Sequence, residues 1–201
     1  MYQKYIKRPM DFTLSLLAII VLSPVMGITA LLVKIKLGSP VLFKQPRPGF
    51  KGKIFTLYKF RSMTDERDET GELLPDAVRL TKFGKILRKT SLDELPELFN
   101  ILKGDMSIIG PRPLSTRYIE YYTPEEFARH SVRPGLSGLA QISGRNNLQW
   151  EERFAYDIEY IQNISFLGDI SIIFRTVIKT FKSEDISVRG SSQVIDFDVY
   201  R

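Results

Sequence analysis

The chain has 201 residues, 43% of them hydrophobic and 26% charged, with 29 lysines and arginines against 23 acids for a net charge of +6. That length suits one domain with a real core, or a smaller domain plus a membrane element. The absence of cysteine excludes disulfides, thiolate metal sites and a thiol nucleophile, and the single histidine, His130, excludes a multi-histidine zinc site. The basic excess points to anionic partners, whether nucleic acid, anionic lipid or phosphorylated substrates, without choosing among them.

From the N-terminus, the first element is an apolar run. Phe12 to Val33 carries no charged residue. At ~1.5 Å rise per residue it is long enough to cross a bilayer core as a helix. It is too long for the core of a secretory signal, and Asp11 sits directly against it. Pro24 removes a backbone bond and predicts a kink, while Ser23 is placed to bond the carbonyl that Pro24 frees. Lys4, Lys7 and Arg8 precede the run, and Lys34, Lys36, Lys44, Arg47, Lys51 and Lys53 follow it. Basic flanks favour the cytoplasmic side of a membrane. Two arrangements stay open on these residues: a spanning anchor with a proline kink, and a re-entrant helix that turns at Ser23-Pro24 and keeps both flanks inside.

Val41 to Phe43 and Ile54 to Tyr58 read as short strands, joined by a Gln45–Gly52 hairpin loop rich in proline and glycine. Asp65 to Pro75 is polar and reads as a loop. Arg79 to Lys89 reads as one helix with a Leu80, Phe83, Ile86, Leu87 stripe and basic residues elsewhere. Asp169 to Lys182 repeats the pattern, with Ile170, Ile173, Phe174, Val177, Ile178 and Phe181 on one stripe. Such helices either lie on a membrane surface or pack on a core with a solvated face. Beyond Ser183 the chain is polar and without periodicity, which predicts an irregular tail.

The densest chemical signal is Thr90-Ser91-Leu92-Asp93-Glu94-Leu95-Pro96-Glu97-Leu98. Ser91 and Glu94 fit a capping box, and acids are favoured in a first helical turn. A functional reading competes with that one. Two adjacent carboxylates follow Arg88 and Lys89, and Gly110-Pro111-Arg112-Pro113 presents an arginine on a rigid loop. Arg133-Pro134-Gly135 and Gly144-Arg145-Asn146 share that style. Arginine's planar fork grips phosphate oxygens in pairs, and a stiff loop lowers the entropy cost of holding it. With Lys59 and Arg61 nearby, these loops suggest a polyphosphate pocket, where a carboxylate pair holds Mg²⁺ or supplies a nucleophile or base. His130 reads as structural, and Trp150, Phe154, Tyr156 and Tyr160 read as core before they read as a cradle for a sugar or uracil ring.

These motifs are recognisable. Tyr58-Lys59-Phe60-Arg61-Ser62-Met63, Ser91-Leu92-Asp93-Glu94-Leu95-Pro96, Lys103-Gly104-Asp105-Met106-Ser107, Gly110-Pro111-Arg112-Pro113 and Arg133-Pro134-Gly135-Leu136-Ser137-Gly138, with Gln141 and Gly144-Arg145-Asn146, closely resemble the bacterial sugar transferase family. These are the monotopic phosphoglycosyl transferases, and the length is similar to the minimal PglC-type members. The resemblance covers nearly the whole chain and implies an α/β, mostly α, fold. Residues 1–37 would form a re-entrant membrane helix broken at Ser23 and Pro24. Residues 38–201 would form a catalytic domain on the cytoplasmic face of the bacterial inner membrane, with amphipathic interfacial helices and a short β-hairpin.

The resemblance also implies the chemistry. Members move a sugar 1-phosphate from a UDP-sugar to undecaprenyl phosphate and release UMP, with Mg²⁺, at the first membrane step of a bacterial glycan assembly pathway. Asp93 would be the nucleophile and a metal ligand, and Glu94 its partner. Lys59, Arg88, Arg112, Arg145, Arg133 and Gln141 would bind phosphates or substrate. The expected partners are the two substrates and the membrane, not nucleic acid. Glu97, Arg61-Ser62 and Asn147-Leu148-Gln149 depart from the pattern of close members, which leaves the donor sugar open. Two alternatives accompany this reading: a metal-dependent hydrolase of nucleotide-sugar or lipid diphosphates, and a basic membrane-surface adaptor.

Overall fold

The computed structural model describes residues 1–144, 148–182 and 196–201, with the side chains of 181 and 182 excepted. One π-helical turn over Tyr2–Ile6 leads into α1, Lys7–Leu37. Helix α1 is a single helix with Pro24 inside it, not two arms separated by non-helical residues. Ser23 Oγ donates to Ile20 O at 2.9 Å. That carbonyl is the one Pro24 leaves without its usual donor, as the sequence suggests.

Along its whole length α1 lays one face against the body. Lys7, Asp11, Ser15, Thr29 and Val33 are buried. Ala18, Ile19 and Leu22 pack on Leu57, Leu98, Ile101 and Met106. Met26, Ala30 and Leu37 pack with Val33 on Phe60 and Leu87. The spacing is that of one helical face. The opposite face is apolar and exposed, including Leu17, Ile20, Val21, Ile28, Leu31 and Ile35. Polar groups hold the N-terminal end. Asp11 accepts from Ser107 Oγ at 2.6 Å and Ile108 N at 3.1 Å. The fully buried Asp169 accepts from Tyr2 Oη at 2.6 Å, Lys7 Nζ at 2.6 Å and Tyr160 Oη at 2.9 Å.

The hairpin is longer than its prolines suggest. Strands β1, Leu42–Pro48, and β2, Ile54–Phe60, pair antiparallel, with Pro46 opposite Thr56. Thr56 O and Tyr58 N instead bond the buried Asn100 side chain. The β2 edge bearing these groups faces away from β1, so Pro46 gives up no ladder bond. The Asp65–Pro75 loop holds one isolated bridge, Arg67 to Leu73.

The expected Arg79–Lys89 helix is two helices. Helix α2 covers Asp76–Arg79, Leu80 turns extended, and α3 covers Lys82–Lys89. Thr81 supplies the break, because its Oγ1 caps Gly84 N at 3.0 Å. A Cβ on Gly84 would lie 1.8 Å from Ser62 O, so α3 sits directly on the backbone after β2. A 3₁₀ turn at Leu92–Glu94 leads to α4, Glu97–Lys103. Arg8 donates to the α4 end carbonyls of Ile101 and Leu102 at 2.6 and 2.9 Å.

Strand β3, Ser107–Ile109, is followed by a 3₁₀ segment at Thr116–Tyr121 and by α5, Pro124–Phe127. Strand β4, Gly135–Ser137, pairs parallel with β3, a second sheet the residue pattern did not announce. A Cβ on Gly135 would lie 2.1 Å from Gly110 N, so the backbones of the two loops touch there. Helices α6, Leu139–Ser143, α7, Trp150–Gln162, and α8, Phe166–Lys182, follow, and α9, Phe197–Tyr200, closes the described chain. Helix α8 splits its apolar stripe, with Ile173 packed on the core. Asp169 and Ile172 are buried and Thr176 bonds Ser137, while Phe174, Val177 and Ile178 are exposed. The expected irregular tail lies outside the described residues.

Candidate active site

Four elements deliver five charged side chains to one place. Lys59 comes from β2, Asp93 and Glu94 from the 3₁₀ turn, Glu97 from the first position of α4, and Arg112 from the loop after β3. Lys59 Nζ lies 2.7 Å from Glu94 Oε1 and 2.9 Å from Glu97 Oε1. Arg112 Nη2 donates to the same Glu94 oxygen at 2.7 Å. Arg88, at the end of α3, donates through Nε to Ser62 Oγ at 3.0 Å, and its charge acts on Asp93.

The capping-box reading of Ser91 and Glu94 is overturned. Ser91 makes no side-chain cap bond and adopts a left-handed conformation, φ 55° and ψ 18°. Such a backbone costs about 1–3 kcal/mol in a non-glycine residue and persists only where its surroundings impose it. The Glu94 carboxylate turns to Lys59 and Arg112 instead of back to the Ser91 amide. Asp93 therefore sits in a three-residue turn, not in the first turn of a helix long enough to lend a dipole.

The carboxylates differ in environment. Burial alone would raise Glu94, but Arg112 and Lys59 outweigh it and hold its carboxyl well below the usual range. Asp93 is pushed up to about 6 by burial and by the neighbouring Glu94 charge, against the pull of Lys59, Arg88 and Arg112. Burial pushes Glu97 up to about 7, against Lys59. Its Oε1 pairs with the Lys59 ammonium and makes no other polar contact among the described residues. Burial opposes the Lys59 ammonium, yet Glu94 and Glu97 more than offset this and raise it. Among the described residues no hydrogen bond engages the Asp93 carboxylate, although Asp93 is only 8% exposed.

Two sequence candidates lie elsewhere. Arg133 donates to Gly104 O at 2.8 Å and its guanidinium lies over the Phe50 ring, at the far end of α4 from Asp93. Gln141 reaches Leu136 O at 3.4 Å, and its Oε1 is buried with no partner among the described residues. Arg145 lies outside the described residues. His130 is structural as expected. Its Nδ1 meets Phe127 O at 3.1 Å, and burial and Arg129 push the imidazole down to about 4. Trp150, Phe154 and Tyr160 are core residues.

The family model for bacterial sugar transferases matches residues 2–183. The chain belongs to the bacterial sugar transferase family. It is 52% identical over 181 residues to the uncharacterized sugar transferase EpsL of Bacillus subtilis, covering 90% of each chain. It is 43% identical over 185 residues to the UDP-glucose:undecaprenyl-phosphate glucose-1-phosphate transferase of Klebsiella pneumoniae, covering 87% of this chain and 40% of that one. It is 40% identical over 181 residues to the UDP-N-acetylgalactosamine-undecaprenyl-phosphate N-acetylgalactosaminephosphotransferase of Aeromonas hydrophila, covering 86% and 43%. The chain thus spans less than half the length of these last two enzymes.

In this bacterial sugar transferase, Arg129 is a support that sequence reasoning missed. It donates to Asp157 Oδ2 through Nε at 3.0 Å and Nη2 at 2.6 Å, and both side chains are buried. Its Nη2 also donates to Arg112 O at 2.8 Å, fixing the loop that carries Arg112. No proline or glycine flanks it, so its sequence neighbourhood lacks the rigid-loop signature. Among the described residues no three acidic or histidine side chains converge as a metal-holding group. Mg²⁺ often takes only one or two carboxylates and completes its shell with water and substrate phosphates. The uncommitted Asp93 carboxylate fits that donor set.

Proposed function

We propose that this chain moves a sugar 1-phosphate from a UDP-sugar to undecaprenyl phosphate, releasing UMP, through a covalent phosphosugar on Asp93. The observation that carries this reading is the contrast between two adjacent carboxylates. Glu94 is held by two cations, whereas Asp93 is buried beside them without a hydrogen bond among the described residues. The names of the Klebsiella and Aeromonas relatives support the donor and acceptor classes.

An Asp93 oxygen attacks the sugar-bearing phosphorus, and the bond from that phosphorus to the UMP oxygen breaks. A lipid phosphate oxygen then attacks the same phosphorus and returns Asp93 as a free carboxylate. Lys59, Arg112 and Arg88 surround the reacting phosphoryl group with fixed positive charge. Glu94 stays ionised and orients Lys59 and Arg112; the held-down carboxyl suits this role better than proton acceptance. Asp93 would hold Mg²⁺, whose charge would offset that of the donor's phosphates.

The same reading places the chain at the cytoplasmic face of the membrane with α1 re-entrant. Two features support it. One face of α1 packs on the body from Lys7 to Leu37, and the other is apolar and exposed. A perpendicular crossing would carry Leu57, Leu98 and Ile101 into the bilayer with the middle of α1.

In multiple-turnover assays over a panel of UDP-sugars, UMP and lipid-linked product are expected in equal amounts, and only with undecaprenyl phosphate present. UMP formation indifferent to the lipid, with the sugar phosphate left in water, would make the chain a hydrolase. The pH dependence follows from Asp93. Its attacking form is the anion, so kcat/KM is expected to hold above neutrality and fall on the acid side with a midpoint near the Asp93 value of about 6. A profile flat down to pH 4.5 would remove Asp93 from that role.

A further inference from the structure

We propose that residues 196–201 form an internal strap whose Phe197 positions Arg112, and through it Glu94, for catalysis. This rests on the reading of Asp93 and Glu94 as the transfer site.

Phe197 lies beyond the segment that matches the family, residues 2–183, yet it is 0% exposed. Its ring stacks on Tyr122 with centroids 5.5 Å apart and meets Trp150 and Phe154 at 5.1 Å each. Polar contacts pin the strap on both sides of that ring. Arg117 pairs with Asp196 and Asp198, Tyr200 bonds Glu151, and Arg201 pairs with Glu126. The strap thereby joins the Thr116–Tyr121 segment, α5 and α7 across one aromatic cluster.

That cluster is the seat of Arg129. The Arg129 guanidinium lies over the Tyr122 and Phe154 rings at 5.8 and 5.6 Å, and its Nη1 donates to Tyr122 Oη at 3.2 Å. Both rings rest on Phe197. Arg129 in turn holds the Arg112 carbonyl, and Arg112 holds Glu94. A continuous line of contacts therefore runs from Phe197 through Tyr122, Arg129 and Arg112 to Glu94, the neighbour of Asp93. Packed cores transmit such displacements because their rings have no empty space to relax into.

The full chain, reconstituted in lipid nanodiscs, tests this with Phe197→Ala, Phe197→Leu and Tyr122→Phe. Trp150 is the single tryptophan and touches Phe197, so its emission reports whether the strap is seated. For Phe197→Ala we expect red-shifted Trp150 emission and faster hydrogen exchange over residues 108–116. We also expect a loss in kcat/KM of about tenfold, the scale of one charge-assisted hydrogen bond. Phe197→Leu restores all three. Tyr122→Phe keeps the rings but removes the Arg129 acceptor, so it speeds the exchange and lowers kcat/KM while leaving Trp150 emission unchanged.

A folded Phe197→Ala with altered emission but wild-type kcat/KM overturns the strap. If Phe197→Ala does not fold, Tyr122→Phe decides: unchanged exchange over 108–116 overturns it. A merely structural role would lower the folded fraction and leave the kcat/KM of the folded enzyme unchanged. Failure of the transfer reading shows separately, as a wild-type chain without lipid-dependent UMP release, and the exchange arm still judges the strap in that case.

Discussion

Asp93→Asn is expected to lower lipid-dependent UMP release by at least about a thousandfold, the scale on which covalent catalysts lose their nucleophile. Asparagine keeps the shape of the side chain and removes only the attacking oxygen's charge. The effect should therefore appear without loss of fold, in an unchanged melting transition. Incubation with a donor labelled in the sugar phosphate, without acceptor, should leave label on the wild-type chain and none on Asp93→Asn. Equal labelling of both would end the proposal. Glu94→Gln should behave differently. It leaves Asp93 in place but takes from Lys59 and Arg112 the anion they share, so labelling should slow without vanishing.

The second large effect concerns Arg129. Arg129→Ala strands the Asp157 carboxylate, which is 2% exposed. Breaking a buried pair in this way costs about 3–5 kcal/mol, whereas replacing both partners with apolar residues is often neutral. Arg129→Ala should therefore unfold at markedly lower denaturant, and Arg129→Met with Asp157→Leu should recover most of the loss. Activity should not recover with stability, because the Arg112 carbonyl still lacks its donor. A double variant restored in both respects would make Arg129 a structural residue only.

The site was legible where its chemistry is local. The adjacent carboxylates, the basic residues before them and the proline-bounded Arg112 announce a phosphate site, and the structure brings Lys59 and Arg112 onto Glu94. The same style of motif misled at Arg133. Its rigid Arg-Pro-Gly loop looks equivalent in sequence, but it meets the far end of α4. The capping box failed because cations far along the chain compete for the Glu94 carboxylate more strongly than one local amide does. Pro46 hid part of β1 because a proline breaks a strand only where its missing N–H would have been used. The two short parallel strands had no periodicity to display, being held by a backbone contact at Gly110 and Gly135.

Helix α1 closes bonds that the body cannot close for itself. Asp11 accepts from Ile108 N, Arg8 donates to the α4 end carbonyls, and Lys7 neutralises Asp169. The element that looks like a detachable anchor is a structural component of the enzyme. A generic hydrophobic helix grafted in its place would leave Ile108 N, the Ile101 and Leu102 carbonyls and the Asp169 charge without their α1 partners, so docking of this helix and completion of the core are one event for this chain.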